Sequence, residues 1–221
     1  MIKKIFSYFI PIKIYETNSV LSKSLEVTWA NGELVLDSEN ANYSYGSLQR
    51  ILRLGLQNIG YEKIVPMNQI LVLGVAGGSV IKTLVDEIKY KGKITGVEID
   101  PEIIKIANTY FKLDKMENLE IVIDDAFEFV LKTKTKYDLI IIDIFQDTTM
   151  PNFLFETFFI HRVCSLLKSH GFILFNTMLL NESQNLRNKK YISEFYENQF
   201  QIKTIPRLEV HNELIIIEKL K

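Results

Sequence analysis

Cysteine is nearly absent from this chain: Cys164 stands alone among 221 residues, so no intrachain disulfide can form and the composition suits a reducing compartment. Histidine is almost as scarce. His161, His170 and His211 are widely spaced, and with one thiol they cannot supply the clustered ligands of a zinc site. Neither sign of charge dominates. The 26 Lys and Arg against 27 Asp and Glu leave a formal charge of -1, so no broad basic field recruits nucleic acid. No apolar run approaches the roughly 20 residues of a membrane span. The first ten residues, two lysines leading an apolar stretch, are interrupted by Pro11 and Lys13 with no small-residue cleavage site after them. They predict a first strand or a docking arm, and a cytoplasmic protein. What is present is an ordinary globular composition, 47% hydrophobic and 24% charged. The length suits one large domain with a small appendage.

The first 45 residues differ in pattern from the rest and predict a small β region, with residues 46–221 forming the main domain. Alternating runs at 25–30 and 33–37 flank Asn31-Gly32, a strong two-residue hairpin signal. Folding about that pair sets Trp29 opposite Leu34 and Val27 opposite Leu36, which gathers the large apolar groups on one face. A polar stretch over 38–44 then leads into a helix over 46–57.

Beyond residue 69 strands and helices alternate. Strands are expected at 70–73, 93–98, 119–123, 138–143 and 172–176, with helices after residue 79, over 101–110, 127–131 and 152–167, and over 185–198. Two late strands, 201–205 and 213–218, close the chain. Such alternation means an α/β fold with a mostly parallel seven-stranded sheet flanked by helices.

Ligands of such sheets bind at the carboxyl ends of the strands. The first strand ends in Gly74-Val75-Ala76-Gly77-Gly78-Ser79, where glycines admit a ligand to the backbone and open a helix whose amides favour anionic groups. The second ends in Glu98-Ile99-Asp100. An acidic residue about 20 positions beyond a glycine turn is placed to hold ribose hydroxyls, and Asp100 before Pro101 is also a natural helix cap. The third ends in Asp124-Asp125-Ala126, where either aspartate could cap the next helix or accept an adenine amine. The fourth ends in Asp143, a carboxylate projecting from a central strand into the ligand crevice. Elsewhere Trp29 reads as hairpin core, the aromatic run 153–159 as a helix packed on the sheet, Cys164 as a small buried hydrophobe, and Arg187-Asn188-Lys189-Lys190 as a solvated helix face.

These strand ends, with Asn42-Tyr43-Ser44-Tyr45-Gly46-Ser47-Leu48 and 137–151, resemble the spermidine-synthase-like branch of the class I S-adenosylmethionine-dependent methyltransferase superfamily. The likeness runs over roughly residues 25–220. It implies a Rossmann-like sheet behind a small N-terminal β-hairpin domain. It also implies that Gly74, Val75, Ala76, Gly77 and Gly78 pass the methionine part of the cofactor, that Glu98 with Ile99 holds the ribose, and that Asp125 and Ala126 meet the adenine. Asp143 matches the family's acceptor-activating aspartate. Tyr45 and Asp147 would line the acceptor pocket, with 148–151 as a loop over it. A homodimer is expected from similar proteins.

Three positions depart from polyamine synthases of this branch: Gly77 and Gly46 replace an aspartate and a Gln or His, and Gln146 replaces the second aspartate of the fourth-strand motif. A buried dicationic diamine needs carboxylate partners. Loss of an aspartate at Gly77 also removes repulsion against the carboxylate of ordinary S-adenosylmethionine. The reading is therefore a methyltransferase that uses S-adenosylmethionine on a small-molecule acceptor, with no nucleic acid, membrane or metal involved. The alternatives are an aminopropyltransferase using decarboxylated S-adenosylmethionine, a nicotinamide-dependent oxidoreductase, and a nucleoside-binding protein without catalysis.

Overall fold

The computed structural model describes residues 2–21, 24–38, 42–145 and 149–221. Asp147, Gln146 and the start of the expected acceptor loop lie outside these residues. Two sheets organise the chain. The smaller has four strands in the order β1-β2-β3-β4, from Ile12–Thr17, Leu25–Ala30, Glu33–Ser38 and Asn42–Ser44. Its central hairpin has the register that the sequence dictates, Trp29 opposite Leu34 and Val27 opposite Leu36. Leu25, Val27 and Leu36 are fully buried, while Trp29 is only half-buried and carries the Lys4 ammonium over its ring at 5.9 Å.

The N-terminal segment combines both expected roles at different residues. Ile2–Phe6 is a short helix, α1. Ser7 then docks on the hairpin turn, its carbonyl accepting from Asn31 N at 3.0 Å and its hydroxyl from Gly32 N at 3.0 Å. The strand itself starts only at Ile12, after Pro11. The polar stretch before Tyr45 also hides a strand, β4, which lacks apolar alternation and exists because it pairs with β3 at Leu36↔Ser44.

The larger sheet has seven strands: β5 (Gln69–Leu73), β6 (Lys93–Glu98), β7 (Leu119–Ile123), β8 (Tyr137–Ile142), β9 (Leu167–Met178), β10 (Phe200–Leu208) and β11 (Asn212–Lys219). Their order is β10-β11-β9-β8-β5-β6-β7. Only β11 runs against the rest, through antiparallel pairing with β9 and β10. This is a Rossmann-like, mostly parallel sheet. The strand order reverses between β5 and β8, so their carboxyl ends open the crevice where ligands of such sheets bind.

Ile70 to Leu73 and Leu139 to Ile142 are almost wholly buried, as strands covered on both faces must be. One face packs Leu52, Leu56 and Ile59 of α2 (Gly46–Ile59) in a cluster shared with Leu25, Val27 and Leu36 of the small sheet. The other face packs α6 (Ala126–Lys132), α7 (Thr157–Leu166) and α8 (Glu182–Ser193). The intervening helices are α3 (Tyr61–Ile64), α4 (Ser79–Lys82) and α5 (Pro101–Phe111).

Several expected helices differ in detail. The one after the glycine turn is α-helical only over α4, then widens to a π turn at Thr83–Glu87. Buried Thr83 returns its hydroxyl to Ser79 O at 3.2 Å, a bond that competes with the regular ladder. The expected helix over 152–167 breaks at Glu156. Asn152–Phe155 is a 3-10 turn, because Phe153 packs on Phe127 and Phe159 while Phe155 packs on Phe175 and Tyr191. No single α-helical stripe serves both sets. Phe158 is left 64% exposed. α7 ends at Leu166, and β9 begins immediately instead of at 172. α8 starts at Glu182 instead of 185, because Asn181 accepts from Gln184 N and Gln184 reaches back to Leu180 N, a capping arrangement legible in Asn181-Glu182-Ser183-Gln184.

The basic run on α8 is no uniform solvated face. Asn188 is buried and Arg187 stacks over Phe155 at 4.0 Å, whereas Lys189 and Lys190 are exposed.

Candidate active site

Backbone contacts bring three strand ends together. Gly74 N donates to Val97 O at 3.0 Å, and Asp143 N donates to Leu73 O at 2.9 Å. Gly74 has φ +86, and a Cβ there would lie 2.2 Å from the Asp143 carbonyl oxygen. Any side chain at this residue would be strained and would drive Asp143 away from the turn.

Glu98, at the end of β6, is buried and spends its carboxylate on backbone amides. Oε2 accepts from Val75 N at 3.1 Å and Ala76 N at 3.0 Å, and Oε1 accepts from Asp100 N at 3.1 Å. Burial pushes its pKa up, against the pull of those three bonds. Two carboxylate oxygens offer about four acceptor sites, so Oε1 keeps capacity for one further donor such as a hydroxyl. Asp100 caps α5 through Oδ1, which accepts from Glu102 N at 2.9 Å. Its Oδ2 is buried with no hydrogen-bond partner among the described residues.

The two aspartates after β7 divide the roles that the sequence left open. Asp125 caps α6, its Oδ1 accepting from Phe127 N at 2.7 Å. Asp124 Oδ1 accepts from Asp125 N at 2.9 Å, and Asp124 N donates to Glu98 O at 3.1 Å. Ala126 begins α6 beside them. Large apolar side chains stand open here: Ile99 is 44% and Ile123 48% exposed. A flat apolar ring is a natural cover for such groups. Ile123 was missed in the sequence because it reads as the last core position of its strand.

Tyr45 is placed by the small sheet against the glycine turn. It is buried, with φ 73, and its hydroxyl donates to Gly77 O at 3.1 Å. Its ring stacks on Phe111 with centroids 4.5 Å apart. Burial raises its pKa far above the phenol range. Neighbouring Ser44 accepts from Ser79 N through Oγ at 3.3 Å. Both residues close over Gly77, where a Cβ would meet Ser44 Cβ at 2.8 Å, Ser44 Oγ at 3.0 Å and Tyr45 Cε2 at 3.2 Å. The sequence placed Tyr45 at the acceptor; the structure puts its polar atom on the glycine turn.

Asp143 is partly exposed, and desolvation of its carboxyl by the surrounding protein pushes it up to about 7 against the lowering effect of Asn176, whose Nδ2 donates to Oδ1 at 2.9 Å. Oδ2 makes no hydrogen bond to the described residues. A carboxyl that titrates near neutral pH and has one free oxygen can take a proton from a bound group. Asn176 was not among the residues singled out from the sequence. Its signal was a polar residue ending an apolar strand, as at Asp143.

The residues present fit an adenosyl cofactor: a turn where added Cβ atoms would collide, a buried carboxylate with acceptor capacity at the next strand end, and exposed apolar groups beside it. Comparison with known proteins agrees. The spermine/spermidine synthase domain model matches residues 54–217. A polyamine aminopropyltransferase of Vibrio vulnificus is 30% identical over 132 residues, covering 58% of this chain and 44% of the relative. An eEF1A lysine and N-terminal methyltransferase homolog of Drosophila melanogaster is 26% identical over 161 residues, covering 66% of this chain and 24% of the relative. The chain thus spans less than half the length of either. The spermidine synthase of Thermotoga maritima superposes with a TM-score of 0.67 at 18% identity, over 94% of this chain and 73% of that one. The match over most of its length shows that this chain belongs to the spermine/spermidine synthase domain family.

Proposed function

We propose that the protein transfers a methyl group from S-adenosylmethionine to a small-molecule acceptor. The observation that carries this reading is the packing over Gly77. The position where polyamine synthases place an aspartate has no carboxylate here, and Ser44 and Tyr45 fill the space that one would need. The donor end of the site therefore lacks the charge that would attract an aminopropyl ammonium and repel a carboxylate. Bound, the cofactor supplies a carbon activated by an adjacent sulfonium.

The chain's own part is positioning and proton handling. Glu98 holds the glycine turn and offers its spare acceptor site to the ribose, while Ile99, Asp125 and Ala126 border the base. Asp143 Oδ2 takes the proton that an amine or hydroxyl acceptor must lose. Asp147 belongs to the acceptor pocket in this reading, and Tyr45 supports the turn from behind. The same reading makes the protein cytoplasmic and homodimeric, without nucleic acid or membrane as partner. The outer edge of β1 offers an unpaired ladder for a second copy, and light scattering at twice 25.7 kDa would support that arrangement.

The family also supports a second reading, aminopropyl transfer from decarboxylated S-adenosylmethionine, since the Vibrio vulnificus relative is named for that reaction. The nucleoside product separates the two without knowledge of the acceptor. With a small-molecule cell extract as acceptor source, mass spectrometry should find S-adenosylhomocysteine formed from S-adenosylmethionine, and none with Asp143→Asn. Methylthioadenosine formed from the decarboxylated donor would favour the second reading.

A further inference from the structure

Behind Asp143 the polar row continues across two more strands. Asn176 is completely buried on β9, and besides donating to Asp143 Oδ1 at 2.9 Å it accepts at Oδ1 from Asn212 Nδ2 at 3.0 Å. Asn212 opens β11, directly after the turn from β10. All three side chains stand on the same face of the sheet. Leu214↔Asn176 is a ladder pair of β11 and β9, and Ile142↔Phe175 of β8 and β9 sets Asp143 level with Asn176. We propose that Asn212, acting through Asn176, is a positioning residue for Asp143: the row fixes which carboxylate oxygen is held and leaves Oδ2 for the acceptor.

The argument is one of direction. A side-chain amide has a donor end and an acceptor end. With Asn212 donating, Asn176 must turn its oxygen to β11 and its NH2 to Asp143, which suits an ionised carboxylate. Rotating Asn176 alone would set oxygen against carboxylate oxygen and NH2 against NH2, so both bonds fail together. A buried amide cannot fall back on water, and leaving it unpaired is costly. Among the described residues no charged side chain is hydrogen-bonded to Asn176 or Asn212, and the arginines of α2, which packs on this face, are paired elsewhere, Arg50 with Glu209 and Arg53 with Glu87. Glu213, next in sequence, turns to the opposite face and accepts from Asn188 Nδ2 at 2.7 Å. Glu98 is committed to the Val75, Ala76 and Asp100 amides. Gly74, which lies against the Asp143 backbone, contributes no side chain. Asn212 is thus tied to the carboxylate through one rigid intermediary.

The inference rests on the reading of Asp143 as the acceptor-facing group, but its test needs no acceptor. The side-chain carboxyl carbon of Asp143 is followed by NMR against pH, its resonance assigned by its loss in Asp143→Asn. Asn212→Ala frees Asn176 to rotate, and Asn212→Asp puts an acceptor where the donor was and reverses the row. The expected result is an upward shift of the Asp143 midpoint by about one pH unit, a tenfold change in its ionisation constant, in Asn212→Ala, and a larger one in Asn212→Asp. Asn212→Ser, which keeps a hydroxyl donor, should fall between wild type and Asn212→Ala; it also covers the case where a harsher variant fails to fold. Midpoints within about 0.3 unit of wild type in the folded variants would overturn the proposal. Loss of methyl transfer with an unshifted midpoint would do the same, whereas an unchanged transfer rate in Asp143→Asn would overturn the reading of Asp143 and leave the row intact.

Discussion

Gly74 and Gly77 owe their identity to their neighbours in two different ways. At Gly74 a side chain is excluded by backbone on both counts, a positive φ and the Asp143 carbonyl at 2.2 Å. Gly74→Ala should cost at least about 2 kcal/mol in urea denaturation, because neither obstacle is a side chain that can swing aside. At Gly77 the obstacles are Ser44 and Tyr45, so the cost of a substitution depends on whether the small sheet gives way. Asp143 makes a prediction about pH. Its carboxyl is raised to about 7 from an ordinary value of 3.8, so between those values the folded state binds more protons than the unfolded one, and stability falls as pH rises through that window. Asp143→Asn should remove this slope and gain of order 2–4 kcal/mol relative to wild type above pH 7, read from denaturation midpoints at pH 4 and pH 8. A pH-independent difference between the two proteins would contradict the raised carboxyl.

Between the small sheet and the glycine turn, the working element is the segment that ends β4. Ser44 and Tyr45 each hold one polar atom of the turn's backbone, and the Tyr45 ring is fixed by Phe111 of α5. Tyr45→Phe keeps the stack and loses the hydroxyl, so about 1 kcal/mol of stability should go, with faster hydrogen exchange at the amides of 77–79. Tyr45→Ala should also open the stack and weaken cofactor binding more than Tyr45→Phe does, measurable by titration calorimetry. Equal affinities in the two variants would mean that the latch does not reach the cofactor. The sequence could not show this element. β4 is short and polar, without the apolar alternation that marks its neighbours, and it is specified by pairing with β3. The break at Glu156 escaped for a related reason: 153–159 carries an apolar pattern compatible with a helix, and only the positions of Phe127, Phe159, Phe175 and Tyr191 decide that Phe153 and Phe155 must face different partners.

Across the whole molecule, the sheet was the most legible feature, because Ile70 to Leu73 and Leu139 to Ile142 are continuous apolar runs punctuated by Gly74 and Asp143, and such runs have few other solutions in a chain of this length. The strand ends that the sequence nominated are neighbours on one edge of the sheet, joined by Gly74 N to Val97 O, Asp143 N to Leu73 O and Asp124 N to Glu98 O. What the sequence withheld was the use made of each polar atom: Glu98 binding three amides, Tyr45 turned to the glycine turn, and Asn176 behind Asp143 through a contact 33 residues apart in sequence. These are long-range pairings, set by strand order and not by local pattern.

Among the described residues no helix is long and apolar enough to cross a membrane, and the segment leading into the edge strand β1 carries the exposed side chains Ile2, Ile5, Phe6, Phe9 and Ile10. If that edge mediates pairing, Phe9→Asp should lower the mass seen by light scattering, and an unchanged dimer would place the contact elsewhere. The central claim concerns the donor end of the site, and calorimetric titration with S-adenosylmethionine and its decarboxylated form tests it most directly. The account predicts tighter binding of S-adenosylmethionine, with the preference reduced or reversed in Gly77→Asp. Tighter binding of the decarboxylated form by the wild-type protein would contradict it.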